Sequence, residues 1–387
     1  MTIGAGCARA AIFLFALALS PGPRTVAAAD TVTVVFAGDT SFGENYQDAI
    51  ATAGGGNARV ERGYDHAIAE LGPLLERADL AIVNLETPLT ERRVSPLLGK
   101  LFVHYGDPRQ TTAALARYGV DAVSLANNHT LDLGLDGLLD TFDALDDSGI
   151  ARFGAGDGES VASAPFIRRS GEGDDAITVA VLGAFVRDPT YERWAVYADG
   201  PLPGVAALDL PGIRVQLAEL RRREPAAFVV VFPHWGYDRW WRDPEQVEVA
   251  HALIDAGADM VIGHGGHTMQ EVERYRGKWI VYGLGDFVFN APSTYDDPDV
   301  TPFSLIAELE IAPGQPPTLA GLRLYPILSD NAATGYRPRL LDAAEFSEAA
   351  ARLLDRSPLG NDMARFSAAA DTFGRFIQVE AGSDDEP

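Results

Sequence analysis

The amino-acid sequence predicts an α/β fold. Short apolar segments rich in valine, isoleucine and alanine alternate along the chain with amphipathic segments that have helical spacing. Several of the apolar segments are followed at once by aspartate, glutamate, asparagine or histidine. Open α/β sheets bind ligands in the loops after the carboxyl ends of their strands, so these polar residues also predict where a functional site lies.

The chain is centred on a segment that ends in Asn127, Asn128 and His129. The apolar residues 122–126 predict a buried strand, and the polar loop after them continues to Asp132. Asn128 offers a carbonyl oxygen, and His129 offers a ring nitrogen that can bind a metal or exchange a proton. Taken alone, this stretch is equally compatible with a turn that carries an incidental histidine.

Length and charge limit the classes of protein that are compatible with the sequence. The chain has 387 residues, 47% of them hydrophobic, which suffices for one large domain or two ordinary ones. Because no linker interrupts it, we predict a single domain over residues 30–380, followed by a disordered acidic tail at residues 381–387. The formal charge of -24 repels phosphate backbones, so we expect no nucleic acid partner.

Residues 1–29 have the pattern of an export signal. Arg9 precedes an apolar run at residues 10–19 that is too short to span a bilayer comfortably, and three alanines at residues 27–29 fit a cleavage site. We therefore expect an exported protein, periplasmic or extracellular. An uncleaved membrane anchor through residues 10–19 is the alternative. The one cysteine, Cys7, lies within this segment, so a cleaved protein would have no disulfide and no thiolate ligand.

In the first half of the chain, apolar residues predict strands at 31–37, 80–83 and 122–126. The first of these strands leads into Asp39 and the second into Glu86. A carboxylate directly after a buried strand is costly unless it is paired, hydrogen-bonded or bound to a metal. Amphipathic spacing predicts helices at residues 71–78, 111–118 and 135–148, and the glycine-rich residues 51–63 predict a loop.

The second half of the chain repeats this alternation. Strands are predicted at 177–182, 228–232, 260–262 and 279–282, and helices at 215–223 and 244–256. Residues 186–204 are predicted to form a long aromatic connection that serves as a lid or a wall of the site. From residue 301 onward, alternating residues predict antiparallel strands at 304–311 and 318–328, then closing helices at 343–355 and 362–376.

Five predicted strand ends thus carry potential metal ligands, and four of the seven histidines of the chain are among them. The set consists of Asp39, Glu86, Asn128 with His129, His234, and His264 with His267. Oxygen and imidazole ligands without thiolate suit divalent ions such as Mn, Fe or Zn. The ligands are numerous enough for two adjacent ions, which can activate a water and hold both oxygens of a displacement. A histidine that stays free of metal could protonate a leaving group.

The order of these motifs resembles the CapA family of poly-γ-glutamate capsule synthesis proteins, a branch of the calcineurin-like metallophosphatase superfamily. The motifs that carry the resemblance are Gly38-Asp39, Asn84-Leu85-Glu86, residues 124–129, His234-Trp235-Gly236, residues 263–267 and Leu284-Gly285-Asp286-Phe287. The resemblance extends from about residue 31 to about residue 300. It implies a four-layer α/β/β/α sandwich with a dinuclear metal site between strand ends.

The resemblance also implies a role for each of these side chains. Asp39 and His267 would bind the first metal and Glu86 would bridge the two ions. The second metal would be held by Asn128, His234 and His264. His129 would act as the acid or would stabilise the transition state. Asp132, three residues further on, is a potential orienting partner for His129.

Some positions depart from the pattern of the superfamily. Ser41 stands where a histidine ligand is expected, and Glu86 stands where aspartate is usual. The first metal is therefore short of ligands, so one tightly held ion is an alternative to two. Gly266 and Asp286 replace a proline and an asparagine of the family. Asp286 would supply a ligand, orient a histidine, or act only as a turn residue.

Other polar and aromatic residues have simpler interpretations. His66 and His104 are expected on the surface or in packing, and His251 is expected to be exposed or capping within a helix. Trp235 either walls the site or fills the core. A loop with two arginines and two tryptophans either grips an anionic or sugar polymer or is merely solvated: Arg239, Trp240, Trp241 and Arg242.

Three functions are compatible with these features. The first is an exported metal-dependent hydrolase that acts on a phosphoester substrate. The second is a capsule or exopolymer factor that binds, releases or transfers an anionic polymer, such as poly-γ-glutamate, together with membrane polymer-synthesis machinery. The third is a non-catalytic scaffold that retains the fold, and Ser41 motivates it. We favour a CapA-like protein with a divalent metal site that supports hydrolysis or transfer.

Overall fold

The structure is a computed structural model and describes residues 31–171, 176–292, 295 and 300–381. The predicted export signal at residues 1–29 lies outside the described residues, as does the predicted tail after residue 381. Within the described ranges, no helix combines the length and the apolar character that a membrane crossing requires.

Two β-sheets form the centre of the molecule. In chain order, the described strands are β1 Val32–Ser41, β2 Leu80–Leu85, β3 Ala122–Ser124, β4 Ala151–Phe153, β5 Ala155–Gly156, β6 Phe166–Ser170, β7 Ile177–Val186, β8 Gly204–Val205, β9 Ala207–Leu208, β10 Ala227–His234, β11 Met260–Ile262, β12 Val272–Tyr275, β13 Lys278–Val281, β14 Asp286–Phe289, β15 Phe303–Ala312, β16 Thr318–Leu328, β17 Arg339–Leu340, β18 Phe366–Ala370 and β19 Arg375–Glu380.

The first sheet has the strand order β18-β19-β16-β15-β1-β2-β3-β4, with β14 beside the end of β1 and β17 beside β16. The second sheet has the order β12-β13-β11-β10-β7-β6, with β9 beside β7, and β5 pairs with β8 in a small ribbon. Strands β1 to β4 are mutually parallel, and so are β7, β10, β11 and β13. Each sheet therefore presents a row of strand carboxyl ends.

Helices flank both sheets. The described helices are α1 Glu44–Thr52, α2 Ala58–Arg62, α3 Asp65–Ile68, α4 Gly72–Glu76, α5 Pro108–Arg117, α6 Gly134–Ser148, α7 Glu159–Ala162, α8 Pro189–Arg193, α9 Leu210–Arg223, α10 Pro244–Asp255, α11 Asn331–Thr334 and α12 Ala343–Arg356. Aspartates at residues 107, 209, 243 and 342 define the starts of α5, α9, α10 and α12, because their side chains accept hydrogen bonds from the first turn.

A hydrophobic core between the two sheets holds them together. Val34 and Phe36 of β1 face Val230 and Phe232 of β10, and the rings of Phe36 and Phe232 lie 5.3 Å apart. Because side chains alternate along a strand, the neighbouring residues of each strand point to the opposite face of its sheet. Each sheet must therefore bury a second apolar face, and that face is available to helices.

These second faces are buried by the helices. On the outer face of the first sheet, Val35 and Val83 belong to a core with Leu115 of α5 and Leu138 of α6. On the outer face of the second sheet, Ala180, Leu182, Val229 and Val231 belong to a core with Leu217 of α9 and Leu253 of α10. The layers are thus helix, sheet, sheet and helix. This arrangement confirms the predicted α/β/β/α sandwich.

The predicted closing helix at residues 362–376 is wrong. The chain there forms a short 3-10 turn, Gly360–Arg365, followed by the antiparallel hairpin of β18 and β19. The three alanines at residues 368–370 favour a helix in isolation. Strand β19, however, pairs with β16 and buries Ile377 and Val379 in the core between the sheets, and this tertiary pairing overrides the local preference. The predicted loop at residues 51–63 also contains the short helix α2, which Asn57 caps.

Candidate metal centre

Asp39 lies at the carboxyl end of β1 and is fully buried. The pairing of β1 with β2 and with β14 shifts register at this residue, and such an irregularity redirects a side chain. Gly38 makes the close approach possible, because a Cβ at this position would lie 1.8 Å from the carbonyl oxygen of Gly285. The Asp39 carboxylate accepts hydrogen bonds from Asn84 Nδ2 at 2.9 Å and from the backbone N–H of Gly265 at 3.0 Å.

The second sheet brings two histidines to Asp39. His234 is the last residue of β10, and His264 follows β11 by two residues. Their Nδ1 atoms lie 3.1 Å apart, and His264 Nδ1 lies 3.2 Å from Asp39 Oδ1. Two nitrogen ligands of one zinc-like ion, each about 2 Å from it, are roughly 3 Å from each other. The spacing of these three side chains therefore matches what one ion requires.

Glu86 and His267 lie on the other side of Asp39. Glu86 is fully buried, and neither of its carboxylate oxygens has a hydrogen-bond partner among the described residues. His267 Nε2 lies 3.8 Å from Glu86 Oε1, and His267 Nδ1 lies 3.5 Å from Asp39 Oδ2. His267 has a φ of 54°, a left-handed conformation that costs energy in a residue with a side chain. Asp286 Oδ1, 2.8 Å from His267 Nδ1, orients this ring.

The two asparagines after β3 have different tasks. Asn127 Nδ2 donates to Asn84 Oδ1 at 3.0 Å and to the carbonyl oxygen of Leu85 at 2.8 Å, while its Oδ1 accepts from the backbone N–H of His129 at 3.0 Å. Asn127 therefore shapes the loop. Asn128 Oδ1 is buried without a hydrogen-bond partner in the described part of the chain, and Asn128 Nδ2 donates to Tyr191 Oη at 3.4 Å. The free oxygen of Asn128 remains available as a ligand.

His129 lies within a group of buried side chains. Its Nδ1 donates to Asp132 Oδ2 at 2.7 Å, and its Nε2 faces Glu86 Oε1 at 3.9 Å. The His104 ring stacks on the His129 ring at 3.5 Å, with 3° between the ring planes. The backbone N–H of His104 also donates to Asp132 Oδ2, at 2.6 Å. Lys100 Nζ contacts the other oxygen of Asp132.

The structure thus brings together seven of the side chains that the sequence singled out: Asp39, Glu86, His129, Asp132, His234, His264 and His267. Asn128 lines the same cavity as His234. Three further side chains, which no sequence pattern assigns to the site, also lie there: Lys100, His104 and Asn127. His104 is buried, but its packing partner is the candidate acid itself. The one sequence feature that sets Lys100 apart is the scarcity of lysine, since the chain contains only two.

The remaining candidates lie outside the cluster. The Ser41 hydroxyl accepts a hydrogen bond from the backbone N–H of Gly43 at 3.2 Å and so belongs to a turn. His66 contacts the carbonyl oxygen of Gly335, and His251 pairs with Glu273. Trp235 belongs to the core beneath α9 and α10, and its Nε1 donates to the carbonyl oxygen of Tyr282. Trp235 therefore fills the core, and it also lines the cavity beside His234.

The charges of the cluster are not balanced by the protein. Burial and the neighbouring charge of Asp39 raise the pKa of Glu86 well above its usual range. Burial opposes ionisation of Asp39 too, but His264, His267 and His234 together hold the pKa of Asp39 below its usual range. Burial and His264 lower the pKa of His234 well below its usual range. Glu86 is therefore a buried carboxylate that needs a proton or a cation as its partner.

The side chains present fit a divalent metal site. Two triads of ligand atoms, Asp39 with His234 and His264, and Asp39 with Glu86 and His267, each have all atoms within 4.8 Å of one another and share Asp39. Oxygen and imidazole donors of this kind suit a divalent cation. The third such triad, His104, His129 and Asp132, is already joined by its own hydrogen bonds and stacking.

The sandwich and the cluster of histidines and carboxylates at its strand ends define an α/β/β/α protein with a candidate divalent metal site. Comparison with known families identifies the group more closely. A family model described as "Bacterial capsule synthesis protein PGA_cap" matches residues 33–291, and the chain belongs to this family.

Curated relatives have related descriptions. Two probable polyglutamine synthesis accessory proteins, from two strains of Mycobacterium tuberculosis, are 35% identical over 216 residues, which cover 54% of this chain and 55% of theirs. The capsule biosynthesis protein CapA of Bacillus anthracis is 28% identical over 270 residues, covering 67% of this chain and 60% of that protein. The PGA biosynthesis protein CapA of Bacillus subtilis is also 28% identical, with 67% and 64% covered. The chain therefore spans 55 to 64% of the length of these relatives.

Two solved structures are remotely similar. The calcineurin-like phosphoesterase YfkN from Bacillus subtilis has a TM-score of 0.49 and 12% identity, with 83% of this chain and 97% of that chain covered. A phosphatase from Mycoplasma pneumoniae has a TM-score of 0.44 and 12% identity, with 80% and 97% covered.

Proposed function

We propose that this chain is an exported, metal-dependent hydrolase or transferase of the phosphoesterase type that serves the synthesis of a capsule or exopolymer of the poly-γ-glutamate type. Membership of the capsule synthesis family supports the biological context. The observation that carries the chemistry is the buried carboxylate of Glu86, which has no hydrogen-bond partner within the described structure and lies between Asp39 and His267. A carboxylate in this setting is explained by a bound cation.

Six side chains would hold one or two divalent ions of Mn, Fe or Zn: Asp39, Glu86, Asn128, His234, His264 and His267. When bound, such ions would activate a water for attack on a phosphoester and neutralise the charge that develops. The triad of Asp39, His234 and His264 is the more compact one, with two separations close to 3 Å. The other position lacks a ligand from Ser41. We therefore expect an ion at Asp39, His234 and His264 to bind more tightly than an ion at Asp39, Glu86 and His267.

His129 is the proposed proton donor to the leaving group. Asp132 holds its Nδ1, so the ring presents Nε2 to the side where Glu86 lies. A cavity of about 270 Å³ opens beside Asn128 and His234 and is also lined by Tyr191 and Tyr237. This cavity gives a substrate access to the cluster. The proposed substrate is a phosphoester or an anionic polymer, and the proposed partners include membrane polymer-synthesis machinery.

The test combines two measurements on one sample of purified protein. Metal content is determined after reconstitution with Mn, Fe or Zn, and the same sample is assayed against aryl phosphate monoesters and diesters. We expect one to two equivalents of metal per chain and hydrolysis that a chelator abolishes. Bound metal without turnover on any phosphoester, and without release or transfer of poly-γ-glutamate, would contradict the proposed chemistry.

A second candidate is a non-catalytic factor that binds or exports the polymer. Two observations favour it: the Ser41 hydroxyl is used in a turn, and Trp240 is 67% exposed on the loop that also carries Arg239. In this case the reconstituted protein would hold no metal but would bind poly-γ-glutamate, and the double variant Arg239→Ala, Trp240→Ala would lose that binding.

A further inference from the structure

Lys100 brings a buried cation to the candidate centre from a segment that is otherwise on the surface. Its side chain is 5% exposed. Its neighbours Leu98 and Leu101 are 89% and 88% exposed. The segment at residues 91–103, which we call the strap, thus turns one long polar side chain inward while apolar side chains remain in solvent. Burying a lysine is costly, so its contacts require an explanation.

The ammonium group of Lys100 joins two functional side chains. Nζ contacts Asp132 Oδ1 and donates to the carbonyl oxygen of Asn128 at 2.5 Å. The other oxygen of Asp132 accepts from His129 Nδ1. One cation is therefore linked to the proposed acid through Asp132, and to the proposed ligand Asn128 through its backbone.

Aromatic rings enclose the same ammonium. Nζ lies 5.3 Å from the centre of the Tyr191 ring and 5.9 Å from that of the Trp194 ring, and a cation is attracted to such ring faces. Trp194 Nε1 donates to the carbonyl oxygen of Leu98 at 3.1 Å, which ties the strap to the aromatic side chains. Water has little access to Lys100, so its attraction to Asp132 is weakly screened.

We propose that Lys100 is a positioning residue for the reaction at this centre. It neutralises the buried Asp132 and holds the loop at residues 128–132, so that His129 and Asn128 both face the ligand cluster. This inference rests on the proposed function. It adds that the strap is a part of the site: without Lys100, His129 loses a fixed partner and the carbonyl group of Asn128 loses its anchor.

The experiment uses the full chain with three variants. Lys100→Met keeps the length of the side chain and removes the charge, whereas Lys100→Arg keeps the charge. Lys278→Met is the matched control, because Lys278 is the other lysine of the chain. Lys278 lies in β13, and its Nζ is 3.6 Å from Asp259 Oδ1. Loss of a residue that orients a functional side chain costs about 10- to 100-fold in activity. We expect such a loss in the kcat of Lys100→Met with KM nearly unchanged, substantial recovery in Lys100→Arg, and no change in Lys278→Met.

A second readout does not need turnover. In protein with 15N-labelled histidine, the Nδ1–H signal of His129, identified by its absence in His129→Gln, is expected to be protected from solvent exchange. We expect this protection in the wild-type protein and in Lys100→Arg, and its loss in Lys100→Met. If the Met variant does not fold by circular dichroism, Lys100→Gln takes its place.

The outcomes separate this inference from the proposed function. A wild-type protein without turnover contradicts the proposed function, while the histidine signal still decides the role of Lys100. Turnover in the wild-type protein together with an unchanged kcat in Lys100→Met overturns the inference alone. A reduced kcat with the His129 signal still protected also overturns it, because Lys100 would then not act through His129.

Discussion

Buried polar side chains at the candidate centre differ in how many hydrogen bonds they receive from the protein. Asp132 receives hydrogen bonds from His104 and His129 and contacts Lys100. Glu86, only a few ångströms from His129, has no such donor in the described part of the chain. A buried carboxylate without a hydrogen-bond partner costs free energy, so a bound cation or a proton is needed to offset that cost. The contrast separates side chains that orient others from side chains that are available to an external cation.

Replacing His129 by alanine tests its assigned role. We expect kcat on an aryl phosphoester to fall about 100-fold or more, because general acid catalysis typically contributes that much. Metal content should stay near that of the wild-type protein, since His129 is not among the proposed ligands. His66→Ala is the matched control, because His66 lies away from the cluster against Gly335. Full activity in His129→Ala would remove this residue from the mechanism.

Glu86→Gln is expected to have opposite effects on stability and on metal binding. Without metal, burial and the charge of Asp39 raise the pKa of Glu86, so at neutral pH this carboxyl group must take up a proton on folding. Glutamine avoids that cost, and we expect a gain of about 1–3 kcal/mol in the free energy of unfolding. In the presence of metal, the loss of a carboxylate ligand should lower the metal content. Denaturant titration of metal-free protein and metal analysis measure the two effects. A destabilised metal-free variant would show that Glu86 serves the fold.

The sequence indicated which strand-end side chains lie together better than it indicated the residues that support them, and the reason is physical. Asp39, Glu86 and His234 each follow an apolar strand, and this pattern is visible in one dimension. Lys100 and His104 lie on a long loop without periodicity, so only tertiary structure brings them to Asp132. Ser41 was recognised as a departure from the ligand pattern, but its use in a turn required coordinates.

At the scale of secondary structure, the site depends on the irregular end of β1. Gly38 allows β1 to approach Gly285, and the register of β1 shifts at the next residue, Asp39. Strand β14 then continues the pairing with β1 from Asp286 onward, so that this carboxylate is placed beside His267. The glycines that flank the ligands therefore determine where the strands lie and do not bind the metal themselves.

Gly38→Ala tests this dependence. The new methyl group would overlap the carbonyl oxygen of Gly285, and forced packing of this kind costs about 1–3 kcal/mol or more. We expect a lower melting temperature and a lower metal content. Gly321→Ala is a suitable control, because the nearest atom to its Cβ would be the flexible carboxylate of Glu310 at 3.0 Å. Equal stability of the two variants would contradict the argument.

Elements that combine periodic apolar residues with clear end signals were predicted well, including β11, β16 and helix α10. The error at residues 362–376 has a different origin. Arg375 to Glu380 form a strand because β16 offers an unpaired edge, and no local property of an alanine-rich segment encodes that edge.

At the scale of the molecule, the cluster joins the two sheets. Asp39 and Glu86 come from the first sheet, whereas His234 and His264 come from the second. A ligand that binds only the folded protein stabilises it in proportion to its affinity. A metal bound at this position would therefore stabilise the packing of one sheet on the other.

Metal removal should lower the stability of the whole protein. At a free metal concentration 100-fold above Kd, the expected stabilisation is about 2.7 kcal/mol. Thermal denaturation with and without a chelator measures it, and the shift should be smaller in Glu86→Gln. A melting temperature that is independent of metal across a titration would contradict a metal site between the sheets.

The first and last residues of the cluster, Asp39 and Asp286, are far apart in the sequence. This separation determines when the cluster can form during synthesis of the protein. A ribosome that has translated only the first sheet's strands β1 to β4 has made two carboxylates of the cluster but neither His234 nor His264. No nascent chain shorter than 286 residues contains the complete cluster. Folding across such sequence separations is slow compared with local folding. A metal that binds this cluster would therefore be loaded late in maturation, and the compartment in which folding finishes would determine which ions are available to it.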